Sequence, residues 1–169
     1  MPEHQKRKEE HTLKAVTCWV ITVSDSRTQE TDAAGRFIKE KLRGAGHQIA
    51  LYTIIKNDAA QIESMLKKLK RDREVQVAIL HGGTGLSKKD QTARTVKKHL
   101  DEEIEGFGEL FRFLSYQEIG PYALLSRAVA GVMNRKLIFS LPGSKNAVRL
   151  AIEKLILPVL GHAIHELQK

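Results

Sequence analysis

The chain is poor in the residues that staple, span or stack. One cysteine, Cys18, occurs in 169 residues, so no internal disulfide can form and a disulfide-built scaffold is excluded. No apolar run approaches the ~20 residues that a membrane-spanning helix needs. Met1 to Lys14 are mostly polar and charged and lack the apolar stretch of a signal peptide. A cytoplasmic location away from membranes is therefore expected. Aromatic residues make up only 5%, and neither zinc-finger spacing nor an RNP-like aromatic signature is present. Base-stacking platforms are thus poorly supplied, which argues against a nucleic-acid partner. The GxxxxGK(S/T) and GxGxxG patterns are missing too, which excludes a Walker A loop and a dinucleotide fingerprint.

What is present is a globular composition, 41% hydrophobic and 28% charged, in a chain long enough to bury a core without metal or disulfide. The expected organisation is a flexible arm over residues 1–14 and a single domain over 15–169. The net charge is +8, and it is concentrated: Ser64 to Leu100 holds ten basic and three acidic side chains, a local +7. A localised basic face favours anionic ligands, phosphorylated small molecules among them. Lys67, Lys68, Lys70, Arg71 and Arg73 read as a solvated helix face. Cys18, beside Trp19 in an apolar run, reads as a buried, inert thiol.

The periodicity predicts alternating strands and helices. Val16–Val23 is a β-branched, apolar strand, broken by Ser24-Asp25-Ser26. Ala34, Phe37, Ile38 and Leu42 give helical spacing over Thr31–Arg43, stopped by Gly44 and Gly46. Gln48–Ile55 is a second strand. Asn57 or Asp58 caps a helix whose inner face is Ile62, Met65, Leu66 and Leu69. Val75–Leu80 is a third strand, ended by glycines, and Thr92–His99 is a helix. Glu103–Gly120 reads as less regular and Tyr122–Val129 as a helix. Lys136–Leu141 is a final strand, and a long helix runs from Ser144, kinked or ended by Pro158. The β-α-β-α-β order with short links implies a three-layer α/β/α sandwich around a mostly parallel sheet.

In such sheets ligands gather at the carboxyl ends of the strands. Four of these ends carry glycines, hydroxyls or carboxylates. They are Ser24-Asp25-Ser26, Lys56-Asn57-Asp58, His81-Gly82-Gly83-Thr84-Gly85 with Lys88-Lys89-Asp90, and Leu141-Pro142-Gly143-Ser144. Glycine amides can face an anion, and Thr84 adds a hydroxyl. Each feature also has an ordinary structural explanation. The glycines suit a tight turn, Asp58 and Ser144 suit helix caps, and Arg127 suits a structural ion pair. Together, Asp58 and Asp90 could hold Mg²⁺ against a nucleoside triphosphate, with Lys88 and Lys89 neutralising phosphate charge.

The ordered set of motifs resembles the MoaB/MogA family of molybdenum cofactor biosynthesis. It runs Thr22-Val23-Ser24-Asp25, Asp32 with Gly35, Gly46-His47, Asn57-Asp58, Gly82-Gly83-Thr84-Gly85 with Asp90, Gly106-Phe107-Gly108-Glu109, Leu125-Ser126-Arg127-Ala128 and Leu141-Pro142-Gly143-Ser144. The resemblance covers roughly residues 15 to 165 and is closest to the short bacterial MoaB form. It implies a trimer or hexamer that binds molybdopterin and Mg-ATP and transfers AMP to the pterin phosphate, releasing pyrophosphate. Contacts with other cofactor-biosynthesis proteins are a further implication. By similarity, Asp58 and Asp90 match the family's catalytic aspartates and would hold Mg²⁺. Ser24, Asp25, Gly82, Gly83, Thr84, Gly85, Lys89, Ser126, Arg127, Pro142, Gly143 and Ser144 would contact substrate. Two departures stand out. His81 replaces a small or hydroxylated residue before the glycines, where a ring can crowd the loop. Asp32-Ala33-Ala34-Gly35 has alanines where Ser-Gly is common. The alternative activity is molybdopterin binding without adenylylation. A nucleic-acid module using the basic stretch ranks well below both.

Overall fold

The computed structural model describes residues 15–169, so the expected flexible arm at 1–14 lies outside the described residues. Six strands form one sheet in the order β2-β1-β3-β6-β5-β4. Strands β1 (Thr17–Val23), β2 (Gln48–Ile55), β3 (Val77–His81) and β6 (Lys136–Leu141) are parallel to one another. Strand β5 (Val129–Met133) runs antiparallel to β6, and the short β4 (Glu102–Glu103) antiparallel to β5. The expected three-layer, mostly parallel architecture is what the chain adopts.

The alternation of side chains along each central strand feeds two cores. On one face Cys18, Val20, Val77, Ile79, Leu137 and Phe139 pack against α1 (Ala33–Gly44), α4 (Glu105–Ile119) and the C-terminal helices. On the other, Trp19, Ile21, Ala78, Leu80 and Ile138 meet α2 (Ala59–Arg71) and α3 (Thr92–His99). The inner face of α2 is Ile62, Met65, Leu66 and Leu69, as its spacing predicts. Cys18 is buried, and burial pushes its thiol up to about 12, so it is an inert core group.

Two expectations fail in the second half. Glu103–Gly120 is not irregular, because helix α4 occupies Glu105–Ile119. Its buried stripe is Phe107, Gly108, Phe111 and Ser115, with a glycine and a serine in place of large apolar groups. Its outer face carries Leu110, Phe113, Tyr116 and Ile119, so the polar contrast that reveals an amphipathic helix is absent. Tyr122–Val129 is not a helix either. Gly120–Leu125 forms a short 3₁₀ helix, and Val129 opens strand β5. That strand is joined to β6 by a two-residue turn in which Asn134 and Arg135 have φ of 48° and 60°. Both central positions are left-handed, as a hairpin of this twist requires. Asn134 is held there by its N–H to Asp101 Oδ2 at 2.6 Å and its side-chain amide to the Lys70 carbonyl at 2.8 Å.

The long C-terminal helix is segmented. It is α-helical at Lys145–Leu150 (α5), widens to a π-helix at Ala151–Ile156, breaks around Pro158 and resumes at Leu160–Gln168 (α6). Proline supplies no N–H and cannot continue the ladder, which is why the helix stops there.

Gly131 sets the edge of the sheet. A Cβ at this position would fall on the Glu102 carbonyl oxygen and the Leu100 methyl groups. Gly131→Ala is therefore expected to destabilise the protein by about 1–3 kcal/mol. The change should appear as a lower midpoint of urea unfolding with an unchanged slope.

Candidate functional site

Helix α1, which follows β1, packs on one face of the sheet and α3, which follows β3, on the other, while β1 and β3 are neighbours in the sheet. The connections leaving β1 and β3 therefore diverge, opening a crevice at their carboxyl ends. A pocket of about 360 Å³ lies there, lined by residues that follow β1, β3 and β6. Gly82 is its hinge. Its N–H donates to the Leu141 carbonyl at 3.0 Å, joining β3 to β6. Its φ is +97°, and a Cβ on it would strike the Val23 carbonyl oxygen. Gly143 sits so close that its own Cβ would stand 3.2 Å from Gly82 Cα.

The sequence-predicted residues fall into three groups. Ser24, Gly82, Gly143 and Ser144 line this pocket. Ser24 Oγ accepts from the Ser26 and Arg27 N–H groups at 3.2 and 3.1 Å, shaping the turn after β1. Ser144 caps α5, accepting from Ala147 N–H at 3.2 Å. Pro142 connects β6 to that cap and is half-buried.

The second group is joined by Asn57. Its backbone N–H donates to Asp25 Oδ1 at 3.1 Å, and its side-chain amide reaches Asp90 Oδ1 at 3.5 Å. Its Oδ1 accepts from Gln91 N–H at 3.4 Å. The turns after β1, β2 and β3 are thereby brought together at one rim. Asp58 is the next residue, exposed, with Oδ1 accepting from Gln61 N–H at 3.0 Å as the cap of α2. Asp90 closes the glycine turn, accepting from Ser87 N–H at 3.1 Å. Gly85 lies against it, since a Cβ there would be 2.7 Å from Asp90 Oδ2. Gly83 lies over Asn57 Oδ1 and the hydroxyl of Thr92, a buried group with no hydrogen-bond partner among the described residues. Thr84 is buried, and Lys89 is exposed at the tip of the turn.

Arg127 and Ser126 form the third group, and Arg127 does something the sequence left open. Its guanidinium donates to the carbonyls of Thr84 at 3.4 Å, of Asp90 at 2.9 Å, and of Gly85. It is a clamp on the glycine turn. Both residues also line a second pocket of about 360 Å³ with Arg94, Lys97 and Arg112. Ser126 Oγ accepts from Ala128 N–H at 3.3 Å.

Sequence reasoning missed a buried polar cluster in the floor of the first pocket. Thr22, Asp32 and His81 are only 1%, 2% and 2% exposed. Asp32 Oδ2 accepts from the hydroxyls of Thr22 at 2.5 Å and Tyr52 at 2.6 Å, and Oδ1 from Gly35 N–H at 2.9 Å. His81 Nε2 lies 2.7 Å from Thr22 Oγ1 and 3.7 Å from Asp32 Oδ2. Rather than crowding the glycine turn, the His81 ring is spent on this cluster. Burial opposes ionisation of Asp32, but the nearby His81 ring and hydrogen bonds from Thr22, Tyr52 and Gly35 outweigh it and hold the carboxyl well below the usual carboxylate range. The sequence signals were the separate motif positions Thr22, Asp32 and His81, with Asp32 three residues before a glycine in the first turn of α1; nothing local joined them.

The chain has recognisable relatives. The family model described as a probable molybdopterin binding domain matches residues 19–162. A Staphylococcus aureus protein named molybdenum cofactor biosynthesis protein B is 49% identical over 172 residues, covering 100% of each chain. A crystal structure of a protein with that name superposes with a TM-score of 0.89 at 49% identity, covering 92% of this chain and 97% of the other. The tungsten cofactor synthesizing protein MoaB from Pyrococcus furiosus superposes with a TM-score of 0.82 at 32% identity, covering 92% and 99%.

Because the ionised Asp32 is favoured in the folded chain, its stabilising contribution is complete above the unfolded carboxylate pKa of about 3.9 and is lost as pH falls below it. Asp32→Asn is expected to cost about 1–3 kcal/mol at neutral pH. The gap between the two proteins should narrow when denaturation is followed below about pH 4.

Proposed function

This chain belongs to the molybdopterin-binding domain family and to the biosynthesis of the molybdenum or tungsten cofactor, and we propose that it adenylylates molybdopterin from Mg-ATP. The observation that carries the proposal is the rim built around Asn57. It gathers Asp25, Asp90 and the Gly82–Gly85 turn beside Asp58, so acidic side chains and glycine backbone lie where a phosphate-bearing ligand would reach both.

In the proposed reaction a terminal phosphate oxygen of the pterin forms a bond to the α-phosphorus of ATP. The bond from that phosphorus to the bridging oxygen breaks, and pyrophosphate leaves. No protein nucleophile is needed, so the chain's contribution is positioning and charge stabilisation. Arg127 keeps the glycine turn in shape through three carbonyls. Lys88 and Lys89, exposed at its tip, would offset phosphate charge. Ser24, Gly143 and Ser144 would hold the pterin phosphate in the adjoining pocket.

The donor set fits Mg²⁺ carried in with the nucleotide. Among the described residues no three His, Cys, Asp or Glu groups converge to cage a metal. Mg²⁺ in phosphoryl-transfer sites characteristically takes only one or two carboxylates, with phosphates and water completing its shell. Asp58 and Asp90 would supply those carboxylates, and the ion would neutralise charge on the phosphates.

Among the described residues no helix is long and apolar enough to cross a membrane. The exposed apolar row from α4 into the 3₁₀ helix supports a homo-oligomer, a trimer or hexamer. Leu110, Phe113, Tyr116, Ile119, Tyr122, Leu124 and Leu125 are all more than half exposed there. A contiguous apolar surface of this kind is seldom left bare on a monomer.

With molybdopterin, Mg²⁺ and ATP supplied, the protein should form adenylylated pterin and pyrophosphate, and Asp90→Asn should lower turnover by about 100-fold or more. Pterin binding without pyrophosphate release would select a non-catalytic binding protein instead. In sedimentation velocity, Phe113→Asp should convert the assembly to a smaller species; an unchanged mass would place the contact elsewhere.

A further inference from the structure

The buried cluster under the pocket dictates which nitrogen of His81 carries a proton. The Asp32 carboxylate accepts hydrogen bonds from Thr22, Tyr52 and Gly35, so the Thr22 hydroxyl hydrogen points at Asp32. At 2.7 Å from His81, the Thr22 oxygen then has only a lone pair to offer. His81 Nε2 must therefore be an N–H, and in the neutral tautomer with that nitrogen protonated Nδ1 is a bare acceptor. Among the described residues Nδ1 has no hydrogen-bond partner, and the ring lines the pocket. The other charged groups facing this space are Arg27, from the turn after β1, Lys145, from the start of α5, and Asp32, at the head of α1. Tyr52, from β2, reaches the cluster through Asp32.

Two cations at the walls favour an anion, but a lone pair at the floor repels one unless the anion brings a proton. We propose that His81 Nδ1 selects the ligand of this pocket by sharing one proton with a phosphate oxygen, so that phosphate or a phosphate monoester binds in its monoprotonated form. The inference rests on the reading that this rim takes a phosphate-bearing ligand. The proton comes from solvent when the free ligand is a dianion. It lies either on the phosphate, donated to Nδ1, or on the ring, donated back to phosphate, and the total charge is the same. Thr22 and Asp32 act as positioning residues that keep Nε2 protonated and Nδ1 turned to this task.

The test uses the full chain, with inorganic phosphate and sulfate as probes, because sulfate has the same shape but carries no proton near neutral pH. Long-range ¹⁵N spectroscopy of the ligand-free protein should find His81 protonated at Nε2, and phosphate should perturb Nδ1. Calorimetry in buffers of different ionisation enthalpy at about pH 8, where free phosphate is mostly dianionic, should show uptake of ~1 proton per site. Phosphate should bind about tenfold tighter than sulfate or better, since a site built around an acceptor rejects the analogue lacking the donor. His81→Gln, which can still donate to Thr22, should abolish both the proton uptake and the discrimination. An Nδ1–H tautomer, equal affinity for the two anions, or no phosphate binding at all would overturn the inference. Loss of adenylylation with phosphate selectivity intact would instead count against the proposed reaction alone.

Discussion

The close approach of three strand ends at Gly82 governs the geometry of everything around it. The Gly82 N–H ties β3 to β6, its Cα faces Gly143, and the Val23 carbonyl occupies the space a side chain would need. A left-handed φ and the absence of a Cβ are both required, and only glycine satisfies both without strain. Because β1, β3 and β6 meet so tightly, the turns that leave them start from fixed positions. The pocket and the Asn57-centred rim are consequences of where those turns are forced to go.

Around that constraint the chain uses its polar groups to shape backbone. Asp58, Ser144 and Asp32 each cap a helix. Ser24 and Asp90 each accept N–H groups within their own turns. Arg127 spends its guanidinium on loop carbonyls. A capping explanation and a functional one are therefore not rivals here. Asp58 is exposed and engages one carboxylate oxygen, Oδ1, at the helix end, and its position is the more rigid for being a cap.

Thr22, Asp32 and His81 are the exception, since they are buried in the floor, with half-buried Tyr52 joined to them through Asp32, and they shape no turn beyond the start of α1. Buried polar groups are costly unless their hydrogen bonds are made, and the Asp32 carboxylate makes three besides its approach to His81. His81 is where the chain departs from the residue type expected before the glycines. The structure accommodates it by giving its ring a partner below the sheet rim instead of room in the turn above.

By itself the sequence determined what short-range physics controls. β-Branched and apolar runs made β1, β2 and β6 legible, and helical spacing gave the inner face of α2 residue for residue. The glycine turn and the acidic residues at strand ends were readable for the same reason, as was the family. Only the tertiary structure decided the rest. Helix α4 was hidden because both its faces are apolar, and β5 because its pairing depends on a left-handed turn at Asn134-Arg135 that no Asn-Gly signal announces. Arg127 meets carbonyls more than thirty residues back along the chain, and His81 meets Thr22 fifty-nine residues away. Contacts at that separation are set by strand order and register, and no local periodicity encodes them.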